Sequence, residues 1–491
     1  MELRHARKPT GPEKKPPRLW LVTAILLGLA GCATPTAVPR ERVPLDVPGT
    51  WSNPTIGLTD VATPLSQWWL RFADARLTEL VNQAMEHNTD IAIARAAIGQ
   101  AQASADLAAS ALSPTLGASA SAQRSFSNLG SASGDNSRTD RLQAGLNVAL
   151  DPDLAGALGR AVDASQAAVQ AAQARLGAAE SQVAQAVALD YITLRSAQVR
   201  LLIAQDNLAS QLETLQITRW RNLAGLIGAV EVEQAQVAVG QTRAQLPPLQ
   251  VTVDSALHSL AVRIGQPPAS LIALLQPAAT VPQAAQGLAP GTPGEALDLR
   301  PQVRAAKFDV EQALARADQA RAARLPSLAL SANLGVGAAT LEALSGSAAT
   351  IAGLAISLAA PLLDGGAGAA RVNLQEAALI QAQASYRAAG LNALQEVEDA
   401  MSALRGDREH LLLLQQLALT AASAAGLAQQ RFGAGLVDFQ IVLETQRSLL
   451  SIQNSLALSW ADVSTDQVRL YSALGGGWNP NAAPAVTKPS P

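Results

Sequence analysis

At 491 residues the chain is long enough for two or three ordinary domains, and its net charge of −3 offers no basis for a nucleic-acid partner. Charged residues make up 15% and aromatic residues 3%, which leaves few large side chains to fill a compact globular core. Alanine, leucine and glutamine dominate instead, a composition that favours long helices.

The N-terminus carries Arg4, Arg7, Lys8, Lys14, Lys15 and Arg18, followed by an apolar run from Leu19 to Ala30. That run is too short to span a bilayer and reads as a secretory signal. It ends in Leu29-Ala30-Gly31-Cys32, which resembles a bacterial lipobox, and Cys32 is the only cysteine of the chain. The resemblance implies cleavage after residue 31 and acylation of Cys32, palmitate being a typical chain. Ala33, which is not acidic, implies delivery to the outer membrane. After residue 32 nothing reads as a transmembrane helix, so any crossing of the membrane has to use strands in a closed barrel.

The rest of the chain is written twice, displaced by about 212 residues. Asn88-Thr89-Asp90-Ile91 recurs as Arg300-Pro301-Gln302-Val303, and Pro114-Thr115-Leu116 as Pro326-Ser327-Leu328. Arg221-x-x-x-Gly225-Leu226 recurs as Arg431-x-x-x-Gly435-Leu436. Units this long are duplicated half-molecules rather than solenoid repeats. The predicted division is a signal over 1–31, a lipidated segment over 32–75, a first repeat over 76–275, a linker over 276–294, a second repeat over 295–478 and a tail over 479–491.

Leu77 to Leu112 reads as one helix, ended by Pro114. Leu116 to Phe126 and Leu142 to Leu150 alternate apolar with small or polar residues, which predicts two strands around a Ser- and Gly-rich loop at 127–138. A proline-free helix follows from Gly156 to about Leu223, with Val183, Val187, Tyr191, Leu194, Leu212 and Leu215 in its apolar stripe. At 1.5 Å per residue it is a rod of roughly 100 Å. Gly225 and Gly228 turn the chain into a return helix from Val230 towards Val262, which Leu246-Pro247-Pro248 should break or kink. The second half repeats the plan: strands near Leu328–Val336 and Leu354–Ala360, a rod from Ala369 to Arg431, a turn at Gly433 and Gly435, and a return to Tyr471. Four strands cannot close a barrel, since outer-membrane barrels begin at about eight. Several copies of the chain are therefore required.

Trp68-Trp69-x-x-Phe72-x-Asp74-x-x-Leu77, Asn88-x-Asp90-Ile91, Gln245-Leu246-Pro247, Leu299-Arg300-Pro301 and Leu470-Tyr471-x-Ala473-Leu474-Gly475-Gly476-Gly477-Trp478 together resemble the outer membrane factor (TolC-like) family. The match is to its lipoprotein branch, which serves resistance-nodulation-division efflux pumps. The chain departs from the pattern at Gln302, where an aspartate is usual, and at Leu150 and Ala155, where aromatics are usual. The resemblance implies a mainly α chain with a membrane β-barrel: a homotrimer whose twelve strands form the barrel above a long α-helical periplasmic cylinder. It further implies an outer-membrane, lipid-anchored channel with a periplasmic adaptor and an inner-membrane pump as partners. Docking onto the adaptor is implied at the two helical tips, at Trp220, Arg221, Gly225 and Leu226 and at Arg431, Phe432, Gly435 and Leu436. Asp438 is read either as a lining residue of the closed periplasmic end, where three copies would gather three carboxylates, or as a helix-start residue.

No catalytic constellation and no cofactor or metal motif is recognised. The four histidines, His5, His87, His258 and His410, are scattered. Asp151-Pro152-Asp153 and Asp364-Gly365-Gly366 read as strand-end turns rather than calcium ligands. The expected function is a passive exit duct for drugs or other small toxic compounds, not an enzyme. Alternatives are the duct of a type I protein secretion system and a lipid-anchored coiled-coil scaffold without a pore.

Overall fold

The duplication sets the element order. The computed structural model describes residues 46–52, 64–127, 137–285, 291–346 and 348–479. The signal stretch, Cys32, most of the loop at 127–138, residues 286–290 of the linker and the tail from 480 lie outside the described residues. The first half runs through α1 (Ala75–His87), α2 (Thr89–Ser110), β1 (Thr115–Ser127), β2 (Ser137–Leu150), α3 (Ala157–Leu223) and α4 (Ala229–Arg263). The second runs through α5 (Pro293–Leu299), α6 (Pro301–Ala322), β3 (Ser327–Ala338), β4 (Ala349–Ala359), α7 (Ala367–Gly433) and α8 (Phe439–Ala473). Corresponding long helices match in length: α2 and α6 have 22 residues, α3 and α7 have 67, and α4 and α8 have 35.

These lengths place an equator about halfway along each rod. From its tip, α4 rises roughly 50 Å beside α3 and stops, and α2 covers the rest of α3 up to the sheet. The periodicity predicts one helix over Leu77–Leu112, but the helix breaks at Asn88. Its extended backbone caps α2, with Oδ1 accepting from Asp90 N at 2.8 Å and Ile91 N at 3.3 Å. Its Nδ2 donates to the Arg263 carbonyl at the end of α4, 2.9 Å away. Arg300 stands at the same corner of the second half and donates to the Ala473 carbonyl at 2.8 Å and to Glu396. Local periodicity could not reveal a break whose stabilising partner lies 175 residues away.

Both return helices end on a left-handed glycine. Gly265 has φ +74° and Gly475 φ +84°, and each is followed by a residue whose N–H returns to the carbonyl five positions back. A Cβ on Gly265 would sit 2.5 Å from the His87 carbonyl oxygen, and one on Gly475 2.7 Å from that of Leu299. The glycines thus let each return helix abut its corner.

The equator holds the main core. Trp68 and Trp69, from a short 3-10 helix at Leu65–Phe72, pack with Phe72, Tyr191 and Tyr471 among the leucines and valines of α1, α3, α4 and α8. The Trp68 and Tyr471 ring centroids lie 5.9 Å apart. Trp478 lies over Gly177, where a Cβ would approach its ring to 2.4 Å, and its indole N–H donates to Leu299 O at 2.9 Å. These contacts explain the spacing of the C-terminal Gly-Gly-Gly-Trp run. The described part of the linker is fastened to this core. Gln283 donates to Trp460 O at 2.9 Å, and Ser464 donates to Pro282 O at 2.6 Å. α5 opens at Pro293 behind a Thr292–Glu295 capping box, inside the span assigned to the linker.

Three expectations need correction. α4 stays helical through Pro247 and Pro248, so the chain is not broken there; both prolines are exposed, as are residues Arg243 and Ala244, whose carbonyls they leave without an N–H partner. Leu212, assigned to the apolar stripe of α3, is exposed, because α3 changes packing partners along its length. α7 does contain a stretch long and apolar enough to cross a membrane by length and composition. It is nevertheless paired with α8 in a helical hairpin, with Leu411 and Leu414 buried and Leu412, Leu413, Leu417 and Leu419 exposed.

Asp466 of α8 is a buried carboxyl beside Asp407 of α7, with Arg469 at 3.3 Å. Burial, followed by the neighbouring Asp407, pushes its pKa up to about 7. The folded chain therefore holds a proton here that the unfolded chain has lost. Stability from this site is full at acid pH, falls as pH rises from about 4 to about 7, and is absent above that window. Asp466→Asn should raise the thermal midpoint by several degrees at pH 8 and change it little at pH 4, as followed by circular dichroism melts.

Candidate functional site

The four strands form one antiparallel sheet in the order β1-β2-β3-β4. Paired residues share a face, so the register can be read across the sheet in ranks. One face carries Leu116, Val148, Ala332 and Leu354 in one rank and Ala118, Leu146, Leu334 and Ala352 in the next. The opposite face carries Gly117, Asn147, Asn333 and Gly353, then Ser119, Gly145, Gly335 and Ile351, then Ser121, Gln143, Gly337 and Ala349. Large apolar side chains on the first face are exposed, among them Leu116, Leu146, Leu334 and Leu354. Towards the β1–β2 loop this face carries an ion pair, Arg124 to Asp140 at 2.6 Å, with Phe126 beyond it. An exposed apolar band bordered by charges is the pattern of a strand set against hydrocarbon, with the polar face lining a lumen.

At the other end of the strands the chain turns into the rods. Asp153 Oδ1 and Oδ2 accept from the N–H groups of Leu158 at 2.9 Å and Gly159 at 2.7 Å. Asp364 accepts likewise from Gly366 at 2.9 Å and Gly368 at 2.6 Å. Both carboxylates thus serve the exposed N–H groups of a helix start, in keeping with turns.

The two tips lie a rod's length from the sheet and close in the same way. Gly225 has φ +71° and Gly435 φ +75°. Leu226 N–H returns to Arg221 O and Leu436 N–H to Arg431 O, both at 2.9 Å, the six-to-one bond of a Schellman turn. Beneath them a small core joins Leu215, Val239, Phe432, Phe439 and Leu443 from both hairpins, with the Phe432 and Phe439 rings 5.4 Å apart. Trp220, Leu226 and Leu436 are 61%, 67% and 73% exposed. Of the eight tip residues singled out in the sequence, the structure brings Arg221, Phe432 and Gly435 into one cluster. Trp220, Leu226, Arg431 and Leu436 project into solvent, and Gly225 has open space around its Cα. Asp438 occupies the N-cap position of α8, is exposed and makes no capping bond through its side chain. Sequence reasoning missed Phe439, whose place in the tip core depends on the neighbouring hairpin.

Comparison with known proteins agrees with this geometry. A family model described as outer membrane efflux protein matches residues 80–266 and 292–476, the two halves in turn. The pyoverdine export outer membrane protein OpmQ of Pseudomonas aeruginosa is 31% identical over 468 residues, covering 94% of this chain and 97% of OpmQ. A solved structure of the outer-membrane channel OprN superposes with a TM-score of 0.84 at 30% identity, covering 90% of this chain and 99% of that one. The outer membrane protein VceC of Vibrio cholerae superposes at 0.77 with 26% identity, covering 85% of this chain and 100% of that one.

The two sheet faces should respond oppositely to charge. Leu334→Arg would place a cation in hydrocarbon at a cost of about 2–4 kcal/mol per copy and should strongly reduce heat-resistant, membrane-inserted protein. Asn333→Arg, one residue away on the opposite face, should insert normally. Semi-native electrophoresis of outer-membrane fractions distinguishes the two.

Proposed function

The chain belongs to the outer membrane efflux protein family, and we propose that it works as a homotrimeric, lipid-anchored exit duct of a tripartite pump. Its place is the outer membrane and its role that of an efflux channel. The observation that carries the trimer is the sheet itself, in which β1 and β4 each leave an edge unpaired. Such edges are not tolerated in lipid, and copies of the chain can pair β4 of one with β1 of the next. Three copies give twelve strands, an even number within the range of such barrels. The exposed leucines of α7 supply apolar surface for the helices of adjacent copies to pack into a cylinder. In this reading the duct is passive and draws its energy from the pump.

Adaptor docking at the tips is supported by the exposed Trp220, Leu226 and Leu436 beside Schellman turns that project no bulk at Gly225 and Gly435. Asp438 fits a ring of three carboxylates at the periplasmic entrance, and Cys32 fits the lipid anchor. In planar bilayers the purified trimer should conduct, whereas a pore-free scaffold would give no steps. Cys32→Ser should abolish incorporation of labelled palmitate, and undiminished labelling would remove the anchor assignment. Replacing Gly225 and Gly435 together with leucine should leave trimers and conductance intact while reducing drug resistance to the level of a channel deletion.

A further inference from the structure

The two tips repeat one motif, yet their arginines are used differently. Arg221 reaches from tip one across to tip two, where Nη1 donates to the Phe432 carbonyl and the guanidinium lies 4.5 Å from the Phe432 ring centroid. The same carbonyl accepts the Gly435 N–H at 2.9 Å, so Arg221 is bonded to the oxygen that closes the second turn. A Cβ on Gly435 would lie 3.4 Å from Arg221 Nη2, in close contact with the guanidinium. Nothing reciprocal occurs. Arg431 is exposed and, among the described residues, makes no side-chain hydrogen bond or ion pair. Position 222, which corresponds to Phe432, is an asparagine that spends its Nδ2 on Ile227 O at 3.0 Å and offers no ring to stack on.

We infer that Arg221 is a positioning residue that clasps tip two to tip one within a protomer, while Arg431, its counterpart in the repeated motif, is left to meet the docking partner. The inference about Arg431 rests on the docking reading above; the clasp does not. A guanidinium stacked on a ring and bonded to a backbone carbonyl is held by a charge-assisted bond and a cation–π contact in a half-buried setting. It is therefore committed before any partner arrives. Arg431 retains all its donors for a partner that presents carboxylates or the free carbonyls of a helical turn, next to the apolar surface of Leu436.

Two measurements separate the roles. Hydrogen exchange of the tip peptides in the purified trimer, without partner, tests the clasp. Arg221→Ala should accelerate exchange over residues 430–440 by about tenfold, the loss of one charge-assisted bond, and Arg221→Lys should restore part of the protection. Arg431→Ala should leave tip one unchanged. If Arg221→Ala leaves tip two as protected as before in a heat-resistant trimer, the clasp is overturned. Binding of the purified adaptor tests the partner contact: Arg431→Ala should weaken it about tenfold with exchange at both tips unaltered. Arg431→Ala binding normally, with Arg221→Ala losing binding at unchanged exchange, would reverse the assignment. If the adaptor binds these variants and the double glycine variant alike, docking at the tips fails, and the exchange data still decide the clasp.

Discussion

No peptide group can face hydrocarbon without a hydrogen-bond partner, and this chain brings only four strands to the membrane. The two free edges of its sheet make the single chain an incomplete object, and association follows from backbone chemistry before any side chain is considered. Side chains then decide which surface faces outward. The register aligns Leu116, Val148, Ala332 and Leu354 on one face and Asn147 and Asn333 between glycines on the other, so one sheet separates lipid from lumen. A membrane protein made this way needs no apolar helix in the bilayer, which leaves its helices free to serve the periplasm.

Those helices meet a second constraint, because a rod of 67 residues has too much surface to be covered by one partner. The chain solves this by covering one half with the 35-residue return helix and the other with the 22-residue helices α2 and α6 of both repeats. The place where these two meet concentrates the large side chains. In a protein with so few aromatics, Trp68, Trp69, Phe72, Tyr191 and Tyr471 are gathered there. Carbonyls left free at the ends of the return helices are taken by Asn88 and Arg300, and glycines let backbone approach backbone. Gene duplication preserved the geometry of that corner while changing the residue that makes it.

The tips show what duplication leaves free to diverge. Both keep the left-handed glycine because the turn demands it. Three residues before that glycine the two copies differ, with Asn222 facing its own loop and Phe432 facing Arg221 of the other hairpin. Two equal motifs thus become a joined pair in which Arg221 is committed and, among the described residues, Arg431 is not, and a symmetric sequence yields an asymmetric surface.

The lengths of the rods, the alternation of the strands, the glycine turns and the half-molecule repeat were all legible in the sequence. Each is a local property, carried by helical or strand periodicity or by residues that permit or forbid a backbone angle. The terminal Gly-Gly-Gly-Trp run also reads directly, as a motif. What the sequence did not yield depends on partners far along the chain. The break at Asn88 depends on the Arg263 carbonyl, and the persistence of α4 through Pro247 and Pro248 depends on which face of the helix meets water. Likewise the fastening of the linker depends on Gln283 and Ser464, and the commitment of Arg221 on a phenylalanine 211 residues away. Periodicity reports the environment averaged over one element. Only the tertiary structure decides where an element ends against another, and which of two like residues finds its partner within the chain.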